Sequence, residues 1–361
     1  MGPRELARCA NCIGYAEARA KAPAEIGCMV VHVGRMDEIP RELLCTALLA
    51  MRPVYADHVF VVFARTGTRL ADPRYMVRFY DELAAAPLEP AARANPPRAG
   101  RSAPVYLGNH TALLTTVDGL KLYVDTDDLS LAPHLLLDGS WENWVTAAVK
   151  TIVKPGMRVA DIGANFGYYA TLMARIVGAA GWTHCFEPNP PVFDLLFRGM
   201  EINGFRASST CHRIALASAP GTCVLNVWRR HAGGASFEAN AAGAASYHDE
   251  IRGIEVETAR LDDVLADDPR LDFIKIDAEG AEPVILAGAR RVLAANRELQ
   301  IVMEFSPERY AGQARELLAW IRGEGFSIAI VNNEGRFEEV AADGDDRLLS
   351  SRLSDLYLRR G

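Results

Sequence analysis

From Trp141 onward the chain repeats one unit: a short apolar run, a turn, then a longer stretch with apolar residues three and four apart. Runs at 157–162, 182–186, 209–216, 272–277, 299–305, 326–331 and about 355–359 read as strands. The stretches at about 141–153, 167–178, from Pro191, at about 261–266, from Glu282 and at 308–323 read as helices. A strand pair at 222–228 and 254–259 encloses a Gly/Ala/Ser-rich loop from His231 to Tyr247. Strands that alternate with helices run parallel, because each helix carries the chain back across the sheet, so both faces are covered. The fold class is therefore α/β with right-handed crossovers. In such a sheet a ligand sits at the carboxyl ends of the strands, where their order reverses.

Three of those ends carry unusual residues. The first is VADIGANFGYYA (159–170), a strand that breaks at Gly163 and restarts as a helix after Gly167. A dinucleotide site needs glycine at the middle of G-x-G-x-x-G for close approach to a pyrophosphate. Here Asn165 stands there, and Asp161 would repel a pyrophosphate. An acid beside a helix N-terminus suits a zwitterion instead: the carboxylate meets the ammonium, and the backbone amides meet the ligand's carboxylate. S-adenosylmethionine ends in such a group. The second end, HCFEPNP (184–190), places Glu187 24 residues after Gly163, where an acid accepts hydrogen bonds from ribose hydroxyls. The third, FIKIDAEGAE (273–282), delivers Asp277 and Glu279, and the next strand brings Glu304. Converging acids raise one another's pKa or bind a cation, and both properties suit deprotonation of a hydroxyl.

The segment before this region differs in character. Residues 1–86 read as a small α/β extension, with helices at about 4–22, 39–52 and 73–86 and strands at 28–34 and 57–64. A structural or homodimer-forming role is expected of it. Residues 87–104 contain five prolines without apolar periodicity and read as a linker. Alternating segments around 110–125 form a hairpin turning at Asp118-Gly119. Cys9 and Cys12 form a CxxC, but Cys28 and His32 would lie about 13 Å apart along a strand, too far to share one metal. The seven scattered cysteines read as reduced thiols. Net charge of −7 argues against nucleic-acid binding. No apolar run reaches membrane-spanning length and no signal peptide is evident, so a cytoplasmic protein without membrane insertion is expected.

The runs KPGMRVADIGANFGYYA, CFEPNP, RLDDVL, DFIKIDAEGAEPVILAGA and IVMEFSP, in that order over about 105–361, resemble the FkbM-type methyltransferases. The resemblance implies a class I methyltransferase fold: a Rossmann-like, mixed seven-stranded sheet with helices on both faces. It implies S-adenosylmethionine as cofactor, with Asp161, Gly163, Asn165 and Gly167 at its methionine end and Glu187-Pro188 at its ribose. Leu137 to Glu142 resembles the family's Gly-x-aromatic-Glu start of the first helix, which lies over the cofactor in relatives and adds Trp141 and Glu142. Asp277 and Glu279 match the DxEG motif at the reaction centre.

A hydroxyl is a poor nucleophile until its proton is taken. Asp277 or Glu279 is expected to serve as general base, with Glu304 beside them, or Asp277 and Glu279 to hold magnesium against two acceptor hydroxyls. His184 reads as a strand residue near the core. His231 and His248 flank the Gly/Ala loop and are alternative bases. The expected activity is O-methylation of a sugar, glycoconjugate or polyketide-like natural product. The competing readings are N- or C-methylation of a small metabolite, a non-catalytic cofactor-binding scaffold, and an NAD-dependent oxidoreductase, the last opposed by the missing glycine.

Overall fold

The computed structural model describes residues 103–237 and 249–360, together with the strand segments 12–13, 28–32, 51–56 and 60–65. The chain divides into two units, Met1–Asn95 and Pro96–Gly361. In the first, β1 (Cys12–Ile13) lies parallel to β2 (Cys28–His32), and β4 (Phe60–Arg65) runs antiparallel between β2 and β3 (Met51–Ala56). Two of these strands fall where helices were expected, β1 within 4–22 and the start of β3 at the end of 39–52. At β3, Pro53 cannot donate within a helix and Val54-Tyr55 favour a strand. The remainder of those helices, the helix expected at 73–86, Cys9 and His248 lie outside the described residues.

The second unit opens with an antiparallel sheet of β5 (Val105–Gly108), β6 (Thr111–Thr115) and β7 (Lys121–Asp125). Its β6–β7 turn places Gly119 at φ +76°, the left-handed region that glycine enters without penalty. Two helices follow, α1 (Ala132–Leu137) and α2 (Asn143–Ile152). The main sheet then begins with β8 (Arg158–Ile162), α3 (Tyr168–Val177), β9 (Trp182–Phe186), α4 (Pro190–Ile202) and β10 (Ser209–His212). A separate three-stranded sheet interrupts it: β11 (Ala215–Leu216), β12 (Gly221–Trp228) and β13 (Ile251–Ala259). The winding resumes through α5 (Leu261–Val264), β14 (Phe273–Ile276), α6 (Glu282–Ala287), α7 (Arg290–Ala295) and β15 (Gln300–Phe305). It ends with α8 (Ala314–Gly323), β16 (Phe326–Val331), β17 (Phe337–Val340), α9 (Asp345–Leu349) and β18 (Ser354–Arg360).

The main sheet has the order β10-β9-β8-β14-β15-β18-β16-β17. Its first five strands are parallel, β18 runs antiparallel between β15 and β16, and β17 adds an antiparallel edge. It is thus a mixed α/β sheet of eight strands where seven were expected. The extra strand, FEEV, is too short and too charged to stand out by periodicity. The run at 209–216 is two strands in different sheets. The helix from Glu282 is two short ones parted at Gly288, where a Cβ would fall 2.1 Å from the Ala217 carbonyl oxygen. The helix expected from 308 starts at Ala314.

Apolar clusters fill both faces, one under α6 to α8 and one under α2 and α3. That is why β14 and most of β8 and β9 are buried on both sides, and why they read as near-continuous apolar runs. The strand order reverses at β8, which leaves the switch point between β8 and β14.

The chain is tightest there. The amides of Gly163 and Ala164 both donate to the Phe186 carbonyl, at 3.0 and 2.9 Å, and the Asp277 amide donates to the Ile162 carbonyl at 3.0 Å. Gly163 sits at φ +78°, and a Cβ on it would lie 1.8 Å from the Asp277 carbonyl oxygen. Only glycine lets the two strand ends touch backbone to backbone. Gly163→Ala is expected to lose about 2–4 kcal/mol in urea unfolding, from left-handed strain plus overpacking. A loss below 1 kcal/mol would mean that the contact is looser than described.

Candidate active site

Two adjoining hollows open at the switch point and share Gly163, Asn165, Gly233, Asp277 and Glu279. The smaller, of about 70 Å³, is mostly apolar and runs from Glu187 and Pro188 past Phe186, Ile214 and Phe237. The larger, of about 370 Å³, is walled by Trp141, Glu142, Tyr169, Trp228, His231, Lys275, Glu304, Arg309 and Arg352. A flat heterocycle suits the first and a polar acceptor the second.

The turn is shaped by the backbone. Asn165 takes φ +47° and its Oδ1 accepts the Phe166 amide at 2.8 Å. Gly167 precedes α3 at φ +87°. Glu187 is 7% exposed, its Oε2 accepting the Asn165 amide at 3.0 Å and its Oε1 the Asn189 amide at 2.9 Å. Each oxygen keeps a second lone pair, so the side chain both locks the turn and faces the smaller hollow. Burial lifts its pKa to about 7, against the pull of the two amides. Asp161 lies deeper than the sequence suggested. It is 1% exposed and lines neither hollow; the Ala170 amide at the start of α3 and the Lys275 ammonium are the groups that favour its charge. Burial raises it to about 6, although the opposing charge of Lys275 pulls it down.

Lys275 was read only as part of a strand. A charge within the otherwise apolar FIKI was the available signal. The residue is 4% exposed, pairs in register with Asp161 on β8, and bonds Asp277 Oδ2 at 3.0 Å. Its ammonium lies 4.5 Å from the Tyr169 ring centroid. Burial alone would depress its pKa, but Asp277, Asp161 and Glu142 overcome that and hold it above the ordinary lysine value. Tyr169 in turn donates to Glu142 Oε2 at 3.0 Å, and Glu142 enters α2 at φ +36°. Burial and the negative charge of Asp277 push Glu142 up. Trp141, half-buried, packs against His134 with ring centroids 5.1 Å apart.

The three acids do converge. Asp277, Glu279 and Glu304 each bring an oxygen within 4.8 Å of the others. Arg309, which sequence reasoning missed, reaches up from the loop after β15. It pairs with Glu279 through a short contact and with Glu304 at 2.8 Å. Burial, then the Asp277 charge, raises both glutamates strongly despite this cation, Glu279 to about 8 and Glu304 to about 10. Glu279 takes φ +53°, a backbone region that carries strain for a side-chain-bearing residue. The magnesium expected at Asp277 and Glu279 does not fit this arrangement: Lys275 and Arg309 already occupy the cation positions. His184 is 8% exposed, in β9 beside His212 and away from both hollows. His231 lines the larger hollow.

Asn165 in place of a pyrophosphate-binding glycine and the acids lining the two hollows do not suit a pyrophosphate. Fold and site together fit a ligand of the S-adenosylmethionine kind. Residues 161–328, somewhat under half of the chain, match the family described as Methyltransferase FkbM domain. Methyltransferase sdnD of Sordaria araneosa is 29% identical over 154 residues, which are 36% of this chain and 59% of that protein. The chain thus spans somewhat over half the length of that curated relative. Two crystal structures at 14% identity are also similar. Methyltransferase FkbM from Methylobacillus flagellatus covers 58% of this chain and 49% of its own, with a TM-score of 0.35. An S-adenosylmethionine-dependent O-methyltransferase from Thermotoga maritima covers 69% and 77%, also at 0.35. Trp141 and Glu142 lie before the matched segment. No helix among the described residues is long and apolar enough to cross a membrane.

Asp161 yields a test with a definite sign. Its folded pKa, about 6, exceeds its ordinary 3.8, so between those values the folded protein binds more protons than the unfolded one. Stability is then lost as pH rises through that window and stays lost above it. Asp161→Asn is expected to stabilise the ligand-free protein at pH 7 by about 1–3 kcal/mol in urea unfolding and to flatten the fall between pH 4 and 6. It is also expected to weaken S-adenosylhomocysteine binding in calorimetry. A variant less stable than the parent at pH 7 would contradict the assignment.

Proposed function

We propose that the protein is an S-adenosylmethionine-dependent O-methyltransferase whose acceptor is a hydroxyl of a polyhydroxylated molecule, a sugar or a glycosylated natural product. The observation that carries this reading is the wall of the larger hollow. Carboxylates from Glu142, Asp277, Glu279 and Glu304 alternate with the donors Lys275, Arg309 and Arg352, and Trp141 and Trp228 supply flat apolar faces. Acids and cations together satisfy the paired donors and acceptors of neighbouring hydroxyls, and aromatic faces suit the C–H face of a pyranose. An apolar polyketide would leave those charges desolvated and unpaired. The eight-stranded order accords with a class I methyltransferase sheet carrying one added edge strand.

S-adenosylmethionine supplies an electrophilic methyl when bound. The chain's own part is to fix the turn through Glu187 and Gly163, to present negative charge under the positive end of the donor, and to hold the acceptor in line. Glu279 and Glu304, raised by burial and by the charge of Asp277, keep protons at neutral pH and act as hydrogen-bond donors and acceptors. Asp277, bonded to Lys275, orients a hydroxyl.

Two measurements test this reading. S-adenosylmethionine and S-adenosylhomocysteine should each raise the melting temperature, with no shift from NAD. Methyl label should then pass to hydroxyl acceptors in a panel of methyl pyranosides, at an undiminished rate in EDTA. No shift with either sulfur ligand would sink the cofactor assignment. Transfer to amines alone would favour N-methylation. Tight binding without any transfer would favour a scaffold, and loss of turnover with chelator would restore the metal.

A further inference from the structure

The three acids at the acceptor end are engaged by Lys275 and Arg309, and that leaves open which group takes the hydroxyl proton. His231 lines the same hollow. Its Nδ1 lies 2.7 Å from Asp249 Oδ2. The Asp249 side chain is 1% exposed and the His231 side chain 19%. Asp249 is fixed in its turn: it accepts the Arg230 amide at 3.0 Å and the Glu250 amide at 2.8 Å. A carboxylate at that distance makes Nδ1 the protonated nitrogen, so Nε2 carries the lone pair.

The backbone around the ring is pinned on every side. The Arg229 amide donates to the Glu250 carbonyl at 3.0 Å, and the Arg230 carbonyl accepts the Leu129 amide at 2.6 Å. The Gly233 amide donates to Ser130 Oγ at 3.3 Å, and Ser236 exchanges two hydrogen bonds with Asn226, at 2.8 and 3.1 Å. The Trp228 ring meets the imidazole edge-on, with centroids 5.9 Å apart. A proton acceptor gains from being held by such supporting hydrogen bonds.

We propose that His231 is the general base of methyl transfer and that Asp249 is the residue that positions it. The proposal rests on the O-methyltransferase reading above. In the step, the acceptor O–H bond breaks and its proton passes to Nε2. The oxygen lone pair forms the O–CH3 bond as the S–CH3 bond breaks, and that bond pair stays on sulfur in S-adenosylhomocysteine. The imidazolium that results is stabilised by the Asp249 carboxylate, which keeps its charge throughout.

The test uses the full chain, a labelled-methyl donor and the methyl pyranoside panel. His231→Gln should lower kcat about 10²–10⁴-fold, with acceptor KM and S-adenosylhomocysteine affinity within about threefold of the parent. Asp249→Asn should lower kcat at unchanged KM, and should shift the His231 nitrogen signals of histidine-labelled protein away from the Nδ1-protonated tautomer. The parent should show that tautomer, a readout independent of any variant's folding. A His231→Gln protein with near-parental kcat, a loss confined to KM, or an Nε2-protonated parent would overturn the base assignment alone. A parent protein that transfers methyl to none of the pyranosides would overturn the O-methyltransferase reading and the base with it.

Discussion

One buried ammonium organises the carboxyl end of the sheet. Lys275 sits in a strand whose other positions are apolar, yet it touches Asp277 directly, faces Asp161 across the ladder and lies over Tyr169, which bonds Glu142. A charge this deep is tolerated only because acids surround it, and the acids only because of it. Arg309 repeats the arrangement one strand further out, between Glu279 and Glu304. The site still carries more carboxylates than cations. Burial raises several of them, the kind of perturbation that gathers in functional clefts.

Much of this could be read before any coordinates. The switch point, the glycine turn, Glu187 and the converging acids follow from strand ends, because a buried parallel strand is an unmistakable apolar run and its end must carry the chemistry. What escaped was set by tertiary contact. Gly288 looks like any helix residue until the Ala217 carbonyl stands against it. Arg309 lies in a polar loop, where arginine is ordinary. Asp161 was assigned to the ligand by sequence position, but depth is invisible in sequence. His231 and Asp249 are 18 residues apart, and nothing local reveals that a hairpin closes them together.

The site has two walls of different origin. The floor, from Asp161 to Arg309, belongs to the main sheet, where β8, β14 and β15 are braced by neighbours on both sides and by helices on both faces. The roof, with Trp228 and His231, hangs from the smaller sheet of β11 to β13. In the proposed reading the floor supplies the charged groups for both donor and acceptor, and the roof adds Trp228 and His231 on the acceptor side. Substitutions in one should be nearly additive with those in the other wherever the side chains do not meet.

The β12–β13 ladder has a consequence for residues that touch no ligand. Its last rung pairs Trp228 with Ile251, and His231 and Asp249 stand just beyond that rung on the two strands. The ladder therefore acts as a ruler that sets the distance between them. A slip of one rung would turn every β13 side chain to the opposite face and carry the carboxylate out of the imidazole's reach. Leu225 and Val256, buried in one cluster well down the ladder, resist that slip because each faces inward in only one register. Spacing far from the cavity is thereby as much a part of the chemistry as the histidine itself.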